Sequence, residues 1–182
     1  HSGGKAVLAV PWGAVALRSE ALGKLKSNHF QVIEHDTGQS GQLEYQATFM
    51  VNGPSGELSP GARDLHLPDA ERPALQALVE TLALNGPDTA ATVNRLAHWF
   101  KGEFHYALFQ PHSDPTGTAL QRFLTDTRAG HCEYFASATV LLLRAAGIPA
   151  RYVTGFSIQE WSEWESVYLV RRRHAHAWAR AF

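Results

Sequence analysis

Apolar residues recur at intervals of three and four in three stretches of the chain, and each stretch predicts a helix. In "DAERPALQALVETLALNG" the stripe is Leu75, Leu78, Val79 and Leu82, with Asp69 placed to cap the start and Gly86 to mark the stop. Pro73 is compatible with this helix only near its first turn, where a missing N–H costs nothing. In "PDTAATVNRLAHWFKGEF" the stripe is Val93, Leu96, Ala97 and Phe100, with Asp88 as cap. The third begins near Cys132 and runs through Phe135, Ala138, Thr139, Leu142, Leu143 and Ala146, where Gly147-Ile148-Pro149 ends it. Carried one turn backwards, the same stripe reaches Cys132. A short helix with Leu120, Phe123 and Leu124 follows the polar loop "PHSDPTG".

Alternation with period two predicts strands elsewhere. Residues 5–66 are rich in β-branched and aromatic residues broken by Gly, Asn and Pro. There "HFQVIEH" and "LEYQATFMV", separated by the turn-prone "DTGQSGQ", predict a hairpin. Phe30, Val32, Ile33, Leu43, Tyr45, Ala47 and Phe49 are its expected inward positions. "NGPSGELSPG" reads as a connecting loop and "FHYALFQP" as extended. After the third helix, "ARYVTGF" predicts a strand, "QEWSEWES" a hairpin loop, "VYLVRR" a second strand and "HAHAWARAF" a third. In this last strand His174, His176, Trp178, Arg180 and Phe182 share one face and alanines occupy the other. The expectation is an α+β fold with three parts: residues 1–4 as a vector remnant, 5–66 as a β-rich lobe, and 67–182 as the core.

Composition narrows the partners. With 182 residues, 45% of them hydrophobic, the chain can bury a core, and a formal charge of -1 supplies no basic field for nucleic acid. No nucleic-acid partner is expected. A single cysteine cannot form an internal disulfide. No run reaches the roughly 18 to 20 apolar residues of a membrane span, so any anchoring segment is expected outside these residues.

The position of Cys132 carries the chemistry. In the first turn of a helix, unsatisfied backbone N–H groups and the positive end of the dipole favour thiolate over thiol. The same N–H groups can receive a developing oxyanion. The competing reading is a small buried hydrophobe, the commonest fate of a free cysteine. A histidine on a rigid strand is suited to take the thiol proton and return it to a leaving amine. His174 and His176 could instead share a divalent ion, but no third ligand is signalled beside them: Glu160, Glu163 and Glu165 fall in a loop at unsuitable spacing.

"GHCEYFASATVLLLRAAGIPARYVTGF", followed about 20 residues later by "HAHAW", resembles the transglutaminase-like core of the papain-type superfamily in its bacterial form. The resemblance spans roughly residues 117–182. It implies a papain-like/transglutaminase-like fold, with a catalytic cysteine at a helix N-terminus packed on an antiparallel sheet. It assigns the nucleophile to Cys132 and the general base to His176, with no cofactor and no metal. It implies thiol-based acyl transfer on a protein or peptide carboxamide, with a cysteine protease or amidase as the alternative and a silent peptide-binding module as a third reading. It also implies a periplasmic domain of an inner-membrane protein, with transmembrane segments lying elsewhere. His174 stands where the family has Asp. The Asp that completes a triad in the family lies on the strand after the histidine strand, and Phe182 is reached before such a strand; the core is therefore expected to be cut short at that end, with the third role unassigned. Tyr106 is a candidate second oxyanion donor, while Trp99 is expected in the core and Trp178 behind the histidine.

Overall fold

The computed structural model describes residues 4–28, 32–37, 42–50, 59–109 and 117–182. The chain divides into two compact units, His1–Ser59 and Pro60–Phe182. The first contains five short strands: β1 (Gly4–Val7), β2 (Ala14–Arg18), β3 (Leu25–Ser27), β4 (Ile33–Thr37) and β5 (Gln46–Phe49). They form an antiparallel sheet of order β1-β4-β3 and a separate antiparallel β2–β5 ribbon.

The hairpin expected between residues 29–35 and 43–51 is therefore replaced. β4 lies between β1 and β3, and β5 pairs with β2, interrupted by a bulge between Ala14 and Ala16. Short strands with alternating patterns present equivalent edges, so a nearby turn does not dictate which edges join. Leu43, Tyr45 and Ala47 are half-buried as expected, Phe49 is exposed, and Phe30 lies outside the described residues. Most of the loop "NGPSGELSPG" and the loop "PHSDPTG" also lie outside them. His35 is buried, and its Nε2 accepts the Gly23 N–H at 3.0 Å. Tyr45 donates to the Ala9 carbonyl. Burial pushes its phenol above the ordinary value, against the smaller opposite effect of that hydrogen bond.

The second unit opens with a 3-10 turn (Ala62–Leu65), followed by α1 (Arg72–Thr81) and α2 (Thr89–Glu103). Asp88 caps α2 as predicted, its carboxylate accepting the N–H groups of Ala90 and Ala91 at 2.8 and 3.3 Å. α1 differs from expectation at both ends. Glu71, not Asp69, is the N-cap residue, and Ala83, not Gly86, turns the chain out with φ +51°. Leu84 N–H reaches back to Val79 O and Ala83 N–H to Glu80 O, while the Leu84 side chain is buried. Burial of Leu84 thus fixes the exit of α1 at a residue with a Cβ.

Next come β6 (His105–Tyr106), α3 (Ala119–Arg122), a π-turn (Phe123–Thr127), β7 (Ala129–Gly130) and α4 (Cys132–Ala145). β6 and β7 pair in parallel. At the C-terminus of α4 the same exit recurs with the expected glycine, Gly147 at φ +81°. β8 (Ala150–Phe156), β9 (Glu160–Ser162), β10 (Val167–Leu169), a 3-10 turn (Arg172–His174) and β11 (Ala175–Ala181) complete the unit.

Three expectations about this last region are corrected. β8 pairs antiparallel with β11, not with the segment after the loop. That loop is itself a small hairpin of β9 with β10, so Glu160 stands on a strand. His174 belongs to the 3-10 turn and not to the histidine strand.

The core of this unit joins Leu75 and Val79 of α1, Leu96 and Phe100 of α2, Phe104, Phe123, Leu124, and Ala138, Val140, Leu142 and Leu143 of α4. α4 is buried on more than the one predicted stripe, because helices lie to one side of it and β11 to the other. The segment before α1 is tied down at three points. Asp64 accepts two hydrogen bonds from Arg151, both at 2.8 Å, Arg144 donates to the His66 carbonyl at 3.0 Å, and Leu67 is buried. The Arg151 guanidinium beside Asp64 holds that carboxyl below the usual carboxylate range.

Candidate active site

Cys132 is the first residue of α4. His131 precedes it in an extended conformation, and no side chain caps the helix. The Tyr134 N–H turns back to the His131 carbonyl at 3.0 Å, while the N–H groups of Cys132 and Glu133 have no side-chain acceptor, the arrangement that suits an anion. Gly130 is closely packed. A Cβ there would lie 3.0 Å from three atoms of Tyr134, so any larger residue would have to push the Tyr134 side chain aside. The Tyr134 ring also meets His131 edge-on, with centroids 5.0 Å apart. Cys132 is half-buried, on the helix stripe that continues through Ala136 and Val140, both buried.

His176 is the second residue of β11, directly opposite Gly155 of β8. Alternation gives it a face in common with Trp178 and Arg180. The other face carries Ala177, buried, and Ala179 and Ala181, packed against the core. Small side chains there let the core approach β11 closely.

Tyr106 stands between the two neighbourhoods. Its backbone pairs with Gly130, two residues before Cys132, and its ring stacks over Phe135 of α4 at 6.5 Å and 12°. It also lines a shallow polar depression together with Ser157, Gln159, Glu160, Arg173, His174 and His176. The structure thus places Cys132 and His176 on elements packed against one another and brings Tyr106 to both surroundings. Among the described residues no hydrogen bond joins the thiol to the imidazole. Trp99 packs against the core, its ring 4.8 Å from that of Phe104.

Two neighbours of this site were given no role by the sequence: Tyr152 was not singled out, and Glu160 was considered only as a metal ligand and set aside. Tyr152, on β8, is pushed above its ordinary value by burial, then by the charges of Glu133 and Cys132. Its place at an alternate position of a strand following the cysteine helix was the available signal. Glu160 takes two hydrogen bonds from Arg171, at 2.8 and 2.6 Å, and one from Arg173 at 3.0 Å, and lies 3.6 Å from His174 Nε2. The Arg171 hydrogen bond, reinforced by the other cationic groups, pulls its carboxyl down to about 2. His174 Nδ1 accepts the Arg171 N–H at 3.2 Å, which closes the turn before β11. Among the described residues no group of three His, Cys, Asp or Glu side chains could hold a metal ion. No helix among them is long and apolar enough to cross a membrane.

A helix opened by the cysteine, an antiparallel ribbon bearing the histidine and the β6–β7 pairing beside them define a papain-like/transglutaminase-like fold. The sequence profile of the transglutaminase-like superfamily matches residues 76–182, more than half of the chain, and the protein belongs to that superfamily.

Among curated proteins the chain is similar to a protein-glutamine gamma-glutamyltransferase of Pseudomonas aeruginosa, at 38% identity over 117 residues. That alignment covers 64% of this chain and 17% of the relative. Among solved structures it is similar to the periplasmic domain of TgpA from Pseudomonas aeruginosa, with a TM-score of 0.64 and 26% identity. This likeness covers 97% of this chain and 64% of that one. A Cytophaga hutchinsonii structure described as a candidate cysteine protease shares the fold, with a TM-score of 0.51 and 18% identity over 98% of this chain and 70% of that one. The chain thus spans about a sixth of the length of the curated transferase.

Proposed function

We propose that this domain performs thiol-based acyl transfer on a protein or peptide carboxamide, with Cys132 as nucleophile and His176 as general base and acid. The observation that carries this reading is the chain's one cysteine at the first position of an uncapped helix, packed on the strand that bears His176. Similarity to a protein-glutamine gamma-glutamyltransferase supports the same chemistry.

His176 takes the Cys132 proton, and the sulfur attacks the carboxamide carbon. The carbonyl oxygen becomes an oxyanion received by the N–H groups at the start of α4, with the Tyr106 hydroxyl as a second donor. The tetrahedral adduct collapses to a thioester as the C–N bond breaks, and the imidazolium gives its proton to the departing ammonia. A primary amine then attacks the thioester, losing a proton to His176, and a new amide forms as the thiol is regenerated. If water attacks instead, the same groups give a carboxylic acid, and the domain is an amidase or protease.

Similarity to the periplasmic domain of TgpA supports placement in the periplasm, and the motif resemblance adds the reading of a domain within a longer inner-membrane protein. A second reading, a silent peptide-binding module, is favoured by the lack of a thiol–imidazole hydrogen bond among the described residues. Catalytic hydrogen bonds often tighten only with substrate in place, which leaves acyl transfer the stronger reading.

Alkylation of Cys132 by iodoacetamide across pH 5 to 9 separates the two. Rapid labelling well below pH 8 that is lost in His176→Ala is the expected result. Ordinary thiol behaviour, unaltered by that substitution, would establish the silent module. Incubation with a glutamine peptide and a fluorescent primary amine then tells transfer, which yields a labelled peptide, from hydrolysis, which yields the acid.

A further inference from the structure

Gly155 and Trp178 occupy one space on the face of β11 that carries His176. Gly155 lies directly across from His176 in the ladder, and Trp178 lies across from Val153. The indole does not stay over its own partner. It leans diagonally across the ribbon until its outer ring covers Gly155. A Cβ built at residue 155 would stand 2.8 Å from Cη2 and 3.3 Å from Cζ3 of Trp178. The indole therefore fills the volume that any other residue opposite His176 would claim. Its plane is 24° from that of the imidazole, with centroids 6.5 Å apart. Trp178 remains 42% exposed in this position, so burial of the ring alone does not account for where it lies.

We infer that Trp178 is a positioning residue for His176, and that Gly155 is glycine because the indole must lie there to wall one side of the imidazole. The inference rests on the Cys132–His176 reading for its catalytic meaning, though not for its geometry. A side chain on a two-stranded ribbon has free volume on its solvent side, and an imidazole there can leave the orientation that proton transfer requires. A rigid aromatic ring beside it removes part of that freedom. At position 155, even a methyl group displaces the ring, because the atoms it meets belong to the stiff far end of an indole.

Three variants test this: Gly155→Ala, Trp178→Phe, and both together. Phenylalanine lacks the outer ring atoms that a Cβ at 155 would strike. Two readouts are taken: the 15N chemical shifts of the His176 imidazole, and the rate of Cys132 alkylation by iodoacetamide against pH. Gly155→Ala is expected to move the His176 signals and to slow alkylation in the rapid low-pH range by about tenfold. Adding Trp178→Phe should return both readouts to those of Trp178→Phe alone.

Unchanged His176 signals in Gly155→Ala would overturn the inference. So would a displacement that persists undiminished in the double variant, since the clash would then lie elsewhere. If Gly155→Ala does not fold, Trp178→Phe decides alone: it must move the His176 signals while leaving the melting temperature within a few degrees. Loss of the Cys–His reading shows separately, as alkylation indifferent to His176→Ala, and the imidazole shifts still judge the positioning.

Discussion

One face of β11 carries Ala177, Ala179 and Ala181 against the core, while the other presents His176, Trp178 and Arg180. The first is sealed and carries no group able to exchange a proton. The second holds the candidate base at the Ala175 end, and at the Ala181 end Arg180 stands opposite Arg151, which is bound to Asp64. A period of two thus lets one strand serve packing and chemistry with alternate residues. The outward face is divided again along its length, with the candidate base at one end and a structural ion pair at the other.

The sharpest break of this comparison is kinetic. Cys132→Ala should abolish acyl transfer, at least about a thousandfold, and His176→Ala should lower it by roughly 10² to 10⁴. Neither should change the melting temperature by more than a few degrees, since both side chains lie outside the sealed face. A large loss of stability in His176→Ala would show that the outward face carries the fold as well.

On the sealed face the reverse is expected. Ala179→Leu forces a larger side chain into a packed interface and should cost about 1 to 3 kcal/mol by denaturant titration, with any loss of activity following the unfolded fraction. At the far end of the outward face, Asp64→Asn leaves Arg151 without its charged partner. The expected loss is about 2 kcal/mol at neutral pH, consistent with a pair that is largely but not wholly shielded from water. Because folding lowers the Asp64 pKa, its contribution is complete above the unfolded value near 4. It is lost as pH falls through the lower folded value. The stability gap between parent and variant should therefore close in acid, and a gap constant down to pH 2 would refute the assignment.

The smallest effect is expected from Glu160→Gln. Glu160 sits in an exposed cluster with Arg171 and Arg173, where water and salt screen the charges. The melting temperature should scarcely move, and what change occurs should vanish at high salt. Since folding holds the Glu160 carboxyl down to about 2, this small contribution should be complete above its ordinary value of 4.5 and fade as the pH falls from there towards 2.

Much of the second unit was legible because its signals are local. Asp88 caps α2 through N–H groups two and three residues away, and Gly147 ends α4 through its own backbone freedom. Cys132 fell at the head of α4 because one apolar stripe, followed backwards, leads there. The first unit was less legible. Its short strands left the choice of edges open, and the predicted hairpin gave way to β4 between β1 and β3. At the end of α1 the local signal was misleading: Gly86 was available, yet the buried side chain of Leu84 fixed the exit at Ala83.

The sequence by itself determined the helices of the second unit, the alternation of β11 and the placing of the lone thiol at a helix start, since each depends on residues within a turn or two of one another. Only the tertiary structure decided that β11 pairs with β8, that Asp64 meets Arg151 across 87 residues, that Glu160 gathers the cations of the following turn, and that an indole lies over Gly155. Those outcomes are set by which surfaces meet when the chain packs, and contact between residues far apart in the chain leaves no periodic mark on either segment.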